Sequence, residues 1–320
     1  MRSTTRLSLW RMAFLSGFLS TTQASVALDT LPVPVSAPQS VCHSILVGEP
    51  TRTVTLKQTF RDDFDQHPLA NGRWSPHFLG SRNWPEKLYW GGVHSDKKRR
   101  LPQNGEQQIY VDPRYQGLAD HPLGLDPFSV HGGLLTVKAR RTPSEMKSSL
   151  FDADYISGVL TSANSFSQKY GYFEIRARVP FGSAVWPAFW LLPDDASWPP
   201  EVDVFEGRGT RRGVLAMSLH WKGEGGRHGT CSTDRTIPDA AERFHTYGVL
   251  WEPETLTWYV DRVPVFTAPA NPHLERPMYM LINLAVGSKT MSGVGQIDEN
   301  TPREIEFVID HVAAWSIGSP

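Results

Sequence analysis

From Thr53 onward, short runs of β-branched and aromatic residues alternate with clusters of Gly, Pro, Asn and Asp. Apolar and polar residues alternate within several of these runs, and a period of two is typical of strands that bury one face. Many short strands separated by turn signals indicate an all-β sandwich or barrel. The only helix that we predict is a single turn near Asp239–Arg243. The predicted strands are Thr53–Phe60, Glu106–Val111, Leu134–Ala139, Gly158–Ser162, Gly171–Val179, Ala188–Leu192, Glu201–Glu206, Val214–Trp221, Thr246–Trp251, Thr255–Val260, Met278–Leu284 and Glu304–Trp315.

Two local patterns add detail to this prediction. Asp261 and Arg262 stand between a strand that ends at Val260 and the apolar Val263, which predicts a two-residue hairpin turn, although Gly is the preferred residue in such turns. In the strand that contains Glu174, charged and apolar residues alternate, so we expect one side of this strand to face solvent.

The N-terminal residues have the pattern of an export signal. Three arginines accompany Met12–Leu19, a short apolar run, and Ser25–Ala27 is a small-x-small cleavage site. The run is shorter than the roughly 20 residues that a membrane-spanning helix needs. We predict a signal peptide over 1–27, with an uncleaved anchor as the alternative. The mature protein is then expected to be secreted or periplasmic and free of the membrane.

The rest of the chain divides into two parts. Residues 28–52 are rich in Pro, Ser and Val without a clear period, and are predicted to form a linker or an extended arm. Residues 53–317 are enough for one large β domain, which we expect to be monomeric. The net charge is −1, so the overall charge does not point to nucleic acid. The basic run Lys97–Arg100 is interpreted as a solvated loop, with contact to an anionic polysaccharide as the alternative.

The chain has two cysteines, Cys42 and Cys231. In an exported protein they can form a disulfide that ties the N-terminal segment to the domain. The sequence alone leaves open whether the two residues come close, and a metal site is the weaker alternative.

The stretch Trp198–Glu206, which reads WPPEVDVFE, holds three carboxylates in six residues. Glu201 and Asp203 share one face of an extended strand, whereas a regular strand would turn Glu206 to the other face. A β-bulge around Val204–Phe205 would bring it back. Crowded carboxylates shift one another's pKa, so one can stay protonated while another is ionised, as glycosidic bond cleavage requires. The plainer interpretation is the solvent face of an amphipathic strand.

Together with the preceding stretch Ala184–Pro193 (AVWPAFWLLP), these residues resemble glycoside hydrolase family 16. Glu201, Asp203 and Glu206 match the family pattern E-x-D-x-x-E. The resemblance covers roughly Thr53 to Ser316. Further blocks occur in the family's order: Asn104–Asp112, Tyr170–Pro180, Phe244–Asp261 and Pro277–Gly287.

The resemblance implies a curved antiparallel β-sandwich of the jelly-roll, concanavalin-like type, with a substrate groove on the concave face. It also implies that Glu201 is the nucleophile, Asp203 its helper and Glu206 the general acid/base of a retaining reaction that uses no cofactor. Spacing along the chain does not by itself decide between retention and inversion.

Aromatic residues near the carboxylates are candidate sugar platforms. Trp186 and Trp198 lie near strand ends, and each is assigned to the groove with the core as the alternative. Trp190 shares strand parity with Ala188 and Leu192, so we predict that it lies in the core. The loop residues Trp84 and Trp90 are candidates for a wall of the groove, with ordinary loop packing as the alternative.

Polar residues complete the candidate groove. In the family block that reaches the non-reducing side of the cleavage point, Asn104 is a better candidate than Glu106. His220 is expected to reach Glu206, as a hydrogen-bonded spacer or a substrate contact. The block Pro277–Gly287 continues with Ser-Lys where the family has Gly and an aromatic residue, so one groove edge is expected to differ.

The resemblance further implies a structural calcium ion, held by Asp63, the carbonyl of Gly133 and Asp310. The family usually has Glu in place of Asp63, which is a departure at this site.

Four functions fit these observations, and all have a polysaccharide as the partner. The first is an exported endo-acting hydrolase of β-1,3 or mixed β-1,3-1,4 glucosidic bonds. Two others use the same residues to trim an exopolysaccharide or to transglycosylate wall polymers. The fourth is a non-catalytic carbohydrate-binding sandwich, which has no use for three crowded carboxylates.

Overall fold

A computed structural model describes residues 29–35, 42–45, 48–78, 96, 99–270 and 274–318. The predicted signal peptide, Trp84, Trp90 and the first two lysines of the basic run lie outside these residues. Inside them the regular elements are strands and short 3₁₀ helices, and residues 239–243 form only a turn in which Arg243 N donates to Asp239 O. The 3₁₀ helices include Pro102–Asn104, Ser144–Met146, Ser148–Leu150 and Glu224–Gly226.

The strands form two sheets, and the prediction of an all-β sandwich is confirmed. The small sheet has the strand order β13-β12-β11-β10-β17-β8, and all its pairs are antiparallel. The large sheet follows the order β2-β16-β15-β14-β9-β18-β6-β7-β4, with β1, β3 and β5 attached at its sides. Its only parallel pair among the described strands is β4 with β7.

The strands of the first half are β1 Asp29–Pro34, β2 His43–Ser44, β3 Thr51–Asp62, β4 Gln108–Tyr110, β5 Phe128–His131, β6 Leu134–Arg141, β7 Tyr155–Ser157, β8 Val159–Thr161 and β9 Gly171–Arg178. Those of the second half are β10 Val185–Pro193, β11 Glu201–Gly207, β12 Val214–Lys222, β13 His228–Thr236, β14 His245–Trp251, β15 Thr255–Val260, β16 Val263–Pro269, β17 Met278–Val286 and β18 Glu304–Ile317.

The main core lies between the two sheets. From the small sheet it takes alternate residues such as Phe189, Leu191 and Val202, and from the large sheet residues such as Phe173 and Ile175. Because side chains alternate along a strand, the intervening residues of the small sheet point away from this core. That outward face of β10, β11 and β12 carries the carboxylates.

The outer face of the large sheet is also covered. The N-terminal strand β1 pairs with β3 and packs Leu31 and Val33 against Tyr172 and Trp315. Glu174 is consequently buried, at 1% exposure, rather than facing solvent. The expectation of a solvent-facing side on β9 is therefore wrong for Glu174, because a segment remote in sequence lies over it, whereas Arg176 and Arg178 stay partly exposed.

Arg262 supplies the charge that Glu174 needs. Asp261 and Arg262 both have positive φ, at 50° and 60°, in the predicted hairpin turn between β15 and β16. The Arg262 guanidinium donates to both Glu174 oxygens, from Nε at 2.9 Å and from Nη2 at 3.2 Å. This buried ion pair offsets the backbone cost of a non-glycine residue in the turn.

Cys42 and Cys231 form a disulfide, with their Cα atoms 6.1 Å apart and a sequence separation of 189. Cys42 directly precedes β2, which pairs with β16, whereas Cys231 lies on the edge strand β13 of the small sheet. The disulfide therefore joins the N-terminal segment to the edge of the sheet that carries the carboxylates. Among the described residues, no helix is long and apolar enough to cross a membrane.

Candidate active site

The geometry of the site starts from an irregularity in β11. Glu201 pairs with His220 and Asp203 with Ser218, but the register shifts before Glu206, which pairs with Ala216. Val204 and Phe205 are both fully buried in the main core. The predicted β-bulge is confirmed, and it keeps all three carboxylates on the outward face of the small sheet.

Each of the two outer carboxylates receives a hydrogen bond from an indole N–H. Trp198 Nε1 donates to Glu201 Oε2 at 2.9 Å, and Trp186 Nε1 donates to Glu206 Oε1 at 3.0 Å. Such bonds favour the ionised carboxylate. They also hold each carboxylate group in one orientation.

The two tryptophans differ in what else they offer. Trp198 is 59% exposed, so its ring has a free surface beside Glu201 that suits a sugar face. Trp186 is 8% exposed and packs with Ala285 and Val294, so its contact with the site is its N–H.

Trp190 packs against a hydrophobic cluster, as predicted, but this cluster lies on the outward face of the small sheet and not in the main core between the sheets. It has the parity of Trp186 and Ala188, which point outward, not that of Phe189. Its side chain is half-buried, and its ring centroid lies 6.0 Å from that of Phe78. Its Nε1 donates to Asn283 Oδ1 at 2.7 Å.

Burial raises the pKa of all three carboxyls, and repulsion from neighbouring charges adds to the rise for Glu201 and Glu206. The pKa of Glu201 rises to about 8 because of burial and then the Asp203 charge, against the opposing effects of His220 and Trp198. Burial also raises the pKa of Asp203 to about 8. The pKa of Glu206 is raised well above its usual range by burial, with the charges of Asp203 and Glu201 adding to it. Glu206 is therefore the carboxyl best suited to hold a proton near neutral pH.

His220 contacts Asp203 and Glu201 rather than Glu206, so the expected contact with Glu206 is corrected. His220 Nε2 lies 3.2 Å from Asp203 Oδ2 and 4.0 Å from Glu201 Oε1. The pairing register explains this, because His220 stands opposite Glu201 while Glu206 stands opposite Ala216. The other ring nitrogen, His220 Nδ1, is 2.9 Å from His228 Nε2.

Asn104 ends the 3₁₀ helix Pro102–Asn104, and its carbonyl accepts a hydrogen bond from Lys289 N at 2.9 Å. Ser288 Oγ also donates to this carbonyl, at 3.1 Å. Asn104 is thus fixed to the loop after β17, where the chain departs from the family block. Ser288 is buried and accepts from the main-chain N–H of Met291, so it organises this loop in place of an aromatic residue.

Glu106 is a buried carboxyl beside Asn104. Burial raises its pKa to about 7, against hydrogen bonds from Gln108 (Nε2 to Oε2, 2.6 Å), Leu101 N and the Asn104 side chain. The hydrogen bond from the Asn104 side chain to Glu106 therefore helps to fix the orientation of Asn104.

Two of the three residues expected to hold calcium, Asp63 and Asp310, already have cationic partners. Asp63 pairs through both carboxylate oxygens with Arg61, at 2.6 and 3.0 Å. Asp310 Oδ2 accepts from Arg176 at 2.8 Å and lies 3.0 Å from His311 Nδ1. Because arginines already neutralise both carboxylates, a divalent cation would meet positive charge at this position.

One other group of the described side chains has the spacing of a metal site, namely Glu201, Asp203 and His220, whose ligand atoms lie within 4.8 Å of one another. A cation there would occupy the carboxylates at the centre of the site.

Part of the basic run is buried instead of solvated. Arg99 is 1% exposed, forms an ion pair with Asp112 at 2.8 Å and stacks over Tyr115 at 4.3 Å. The interpretation of a solvated loop is therefore wrong for this arginine.

Comparisons with known proteins agree with the fold and the carboxylate pattern. The family model for glycosyl hydrolases family 16 matches residues 130–313. The chain is 40% identical over 268 residues to endo-1,3-1,4-beta-glycanase ExsH of Rhizobium meliloti (strain 1021), in an alignment that covers 82% of this chain and 52% of that protein. It is 32% identical over 257 residues to a beta-glucanase of Rhodothermus marinus, covering 72% of this chain and 84% of that protein.

A solved structure gives the same result. The laminarinase from Rhodothermus marinus matches with a TM-score of 0.62 and 26% identity, covering 82% of this chain and 98% of that one. The chain belongs to glycosyl hydrolase family 16, as its sequence pattern predicted. It spans about half the length (52%) of the Rhizobium meliloti glycanase that it matches.

Proposed function

We propose that this protein is an endo-acting glycoside hydrolase that cleaves internal β-1,3 or mixed β-1,3-1,4 glucosidic bonds with retention. The observation that carries the proposal is the bulged strand β11, with Glu201, Asp203 and Glu206 on one outward face. The names of the glycanase and beta-glucanase relatives support the substrate class.

In the first step, protonated Glu206 gives its proton to the leaving glycosidic oxygen while ionised Glu201 attacks the anomeric carbon. The glycosidic C–O bond breaks and a covalent glycosyl ester forms on Glu201. The strongly raised pKa of Glu206 supports its role as the acid.

In the second step, Glu206, now ionised, takes a proton from water as the water oxygen attacks the same carbon. The ester bond breaks, Glu201 leaves as a carboxylate, and two inversions give net retention.

Two neighbours of Glu201 favour its ionised form against the net effect of its surroundings. Burial and the charge of Asp203 raise the pKa of Glu201, and His220 and the hydrogen bond from Trp198 offset only part of that rise. Asp203 is 2% exposed, and its Oδ2 lies 3.2 Å from His220 Nε2. The Asp203 carboxylate would thereby hold the histidine beside Glu201. The exposed ring of Trp198 would support a sugar next to the nucleophile.

We also propose that the protein is exported. The basic and apolar start of the chain supports this, and so does the disulfide between Cys42 and Cys231, because disulfides persist in oxidising compartments.

Catalysis is proposed to need no cofactor, and calcium is not expected to bind at Asp63 and Asp310. A chelator should accordingly leave the melting temperature of the protein unchanged. A fall in the melting temperature that added calcium reverses would instead show that the protein binds a stabilising calcium ion.

The test is product analysis with laminarin, mixed-linkage β-glucan and an acidic exopolysaccharide as substrates. We expect short oligosaccharides from one of the two β-glucans, and their loss in Glu201→Gln and Glu206→Gln. More than a tenth of the wild-type rate in either variant would contradict the assignment. Release from the acidic polymer alone would instead support exopolysaccharide trimming, and binding of glucan without cleavage would support the non-catalytic alternative.

A further inference from the structure

A second histidine stands behind His220. His228 begins the edge strand β13, where it pairs with Lys222, and His220 pairs with Thr230 two positions further along. The two imidazole rings are nearly parallel, with centroids 5.0 Å apart and an interplanar angle of 18°. His220 Nδ1 and His228 Nε2 are 2.9 Å apart.

His228 also reaches the other side of the nucleophile. Its ring centroid is 5.3 Å from that of Trp198, whose N–H is bonded to Glu201. His228 thus contacts both of the side chains that adjoin Glu201, although among the described residues it forms no hydrogen bond or ion pair with Glu201 or Asp203.

The proton positions follow from the acceptors around His220. Its Nε2 faces Asp203 Oδ2 at 3.2 Å and Glu201 Oε1 at 4.0 Å, and carboxylate oxygens only accept when they are ionised. His220 therefore helps these groups only if Nε2 carries the proton. In a neutral imidazole Nδ1 is then an acceptor and needs a donor.

We propose that His228 is a positioning residue that supplies this donor and holds His220 in the Nε2–H tautomer. His228 Nε2–H would donate to His220 Nδ1, so that the proton of His220 stays on Nε2, which lies 3.2 Å from Asp203 Oδ2 and 4.0 Å from Glu201 Oε1. The partner of one ring nitrogen fixes the tautomer of the other, as for histidines that bind metals. This inference rests on the proposed function only for its effect on the rate.

Without the His228 donor, His220 could carry its proton on Nδ1 instead. Its Nε2 lone pair would then lie close to the carboxylate oxygen of Asp203, which is 2% exposed, and would repel it. The ionised form of Glu201 would also be less favoured. The titratable groups closest to the His220 ring are Asp203 and Glu201 on β11 and His228 on β13.

The disulfide explains how an edge strand can hold such a residue. Among the described strands β13 pairs only with β12, so its other edge has no strand partner. Cys231, three residues after His228, is buried and bonded to Cys42. The N-terminal segment therefore fastens the strand that carries His228.

The test compares His228→Gln with His228→Phe. Glutamine keeps an N–H donor at a similar distance, whereas phenylalanine keeps an aromatic ring beside Trp198 and His220 and removes the donor. We expect kcat on the best β-glucan to fall about tenfold in His228→Phe with little change in KM, because one hydrogen bond to the site is lost. His228→Gln should stay within about threefold of the wild type. A rise in KM alone, or equal kcat in all three proteins, would overturn the proposal.

A second readout does not depend on activity. The ¹⁵N shifts of the His220 ring should report a proton on Nε2 in the wild type and in His228→Gln, and a mixture of tautomers in His228→Phe. The same tautomer in all three proteins would overturn the proposal. If the wild type cleaves no glucan but the tautomer still changes, the positioning role stands and the proposed function fails.

Discussion

At the scale of single residues, two indole N–H groups distinguish the carboxylates that they contact. Trp198 donates to Glu201 and Trp186 to Glu206, and each bond lowers the pKa of its carboxylate. In the proposed reaction Glu201 must be ionised and Glu206 protonated. The two tryptophans therefore act on opposite limbs of the pH profile.

We predict that Trp198→Phe moves the acid limb of kcat/KM to higher pH, because Glu201 loses a donor to its ionised form. Trp186→Phe should move the alkaline limb to higher pH, because Glu206 then keeps its proton longer. Phenylalanine retains an aromatic ring at each position, so each variant is the control for the other. The measurement is kcat/KM between pH 4 and 10, and the same limb moving in both variants would contradict the assignment.

Not every residue of the site could be predicted from sequence. Glu201, Asp203 and Glu206 could, because a short spacing pattern carries them. The contact of His220 could not, because it depends on the register between β11 and β12. His228 was missed because β13 reads HGTCSTDRT, which has no apolar alternation to indicate a strand.

At the scale of elements, the bulge in β11 decides which face Glu206 takes. Val204 is the extra residue, since Phe189 pairs with Phe205 and Trp190 pairs with Asp203. If Val204 is removed, the three carboxylates stand at every second position. A regular strand would then place all three on the same face.

We predict that deletion of Val204 leaves measurable glucanase activity, whereas deletion of Val202 abolishes it. The second deletion makes Glu201 and Asp203 adjacent and turns them to opposite faces. Both deletions remove one fully buried valine, so the loss of packing is matched. Activity assays and circular dichroism on both proteins provide the check, and equal activities would contradict the role of the bulge.

The ion pair of Glu174 with Arg262 has a different function, since it secures the hairpin turn and the covered face of β9. Burial raises the pKa of Glu174, but hydrogen bonds from His311 and Arg262 outweigh it and the pKa lies below its usual value. Glu174 is therefore charged at neutral pH and needs its partner. This stabilisation is present above the unfolded-state pKa and is lost as the pH falls through the folded-state value.

We predict that Arg262→Ala lowers the free energy of unfolding by about 2–3 kcal/mol at pH 7, a value reduced because Arg262 is partly exposed. Adding Glu174→Gln should recover part of this loss, since no buried charge is then left. Urea unfolding of the single and double variants measures both effects. A double variant less stable than Arg262→Ala would contradict this interpretation.

All twelve predicted strands occur in the structure, with shifted ends. Their alternation and turn residues are local signals. An extended arm over residues 28–52 was one of two predictions, but the pairing of its strand β1 with β3 and the burial of Glu174 could not be predicted, because both depend on a contact between segments far apart in sequence. The short strands β5 and β7 carry too few residues to show a period.

At the scale of the whole molecule, the site reduces stability at higher pH. Glu201, Asp203, Glu206 and Glu106 all have a raised pKa. The folded protein therefore holds protons that the unfolded chain releases. The free energy of unfolding must fall as the pH rises from the unfolded-state values near 4 toward the folded-state values.

We predict that Glu206→Gln is more stable than the wild type at pH 8 and about equally stable at pH 4. A glutamine has no proton to lose, so the penalty on a buried carboxyl disappears. The gain should be about 1–3 kcal/mol, reduced for the partial contact of Glu206 with solvent. Urea unfolding at the two pH values is the measurement, and a variant less stable than the wild type at pH 8 would contradict the account.

The most direct test of the central claim is to trap the covalent intermediate. A 2-deoxy-2-fluoro β-1,3-glucoside with a good leaving group slows both steps, so the glycosyl ester accumulates and peptide mass spectrometry can locate it. The account predicts one label per protein on Glu201, with no label in Glu201→Gln and slower labelling in Trp198→Phe. A label on Glu206 or on a residue outside β11, or turnover of the glucan without any covalent adduct, would contradict it.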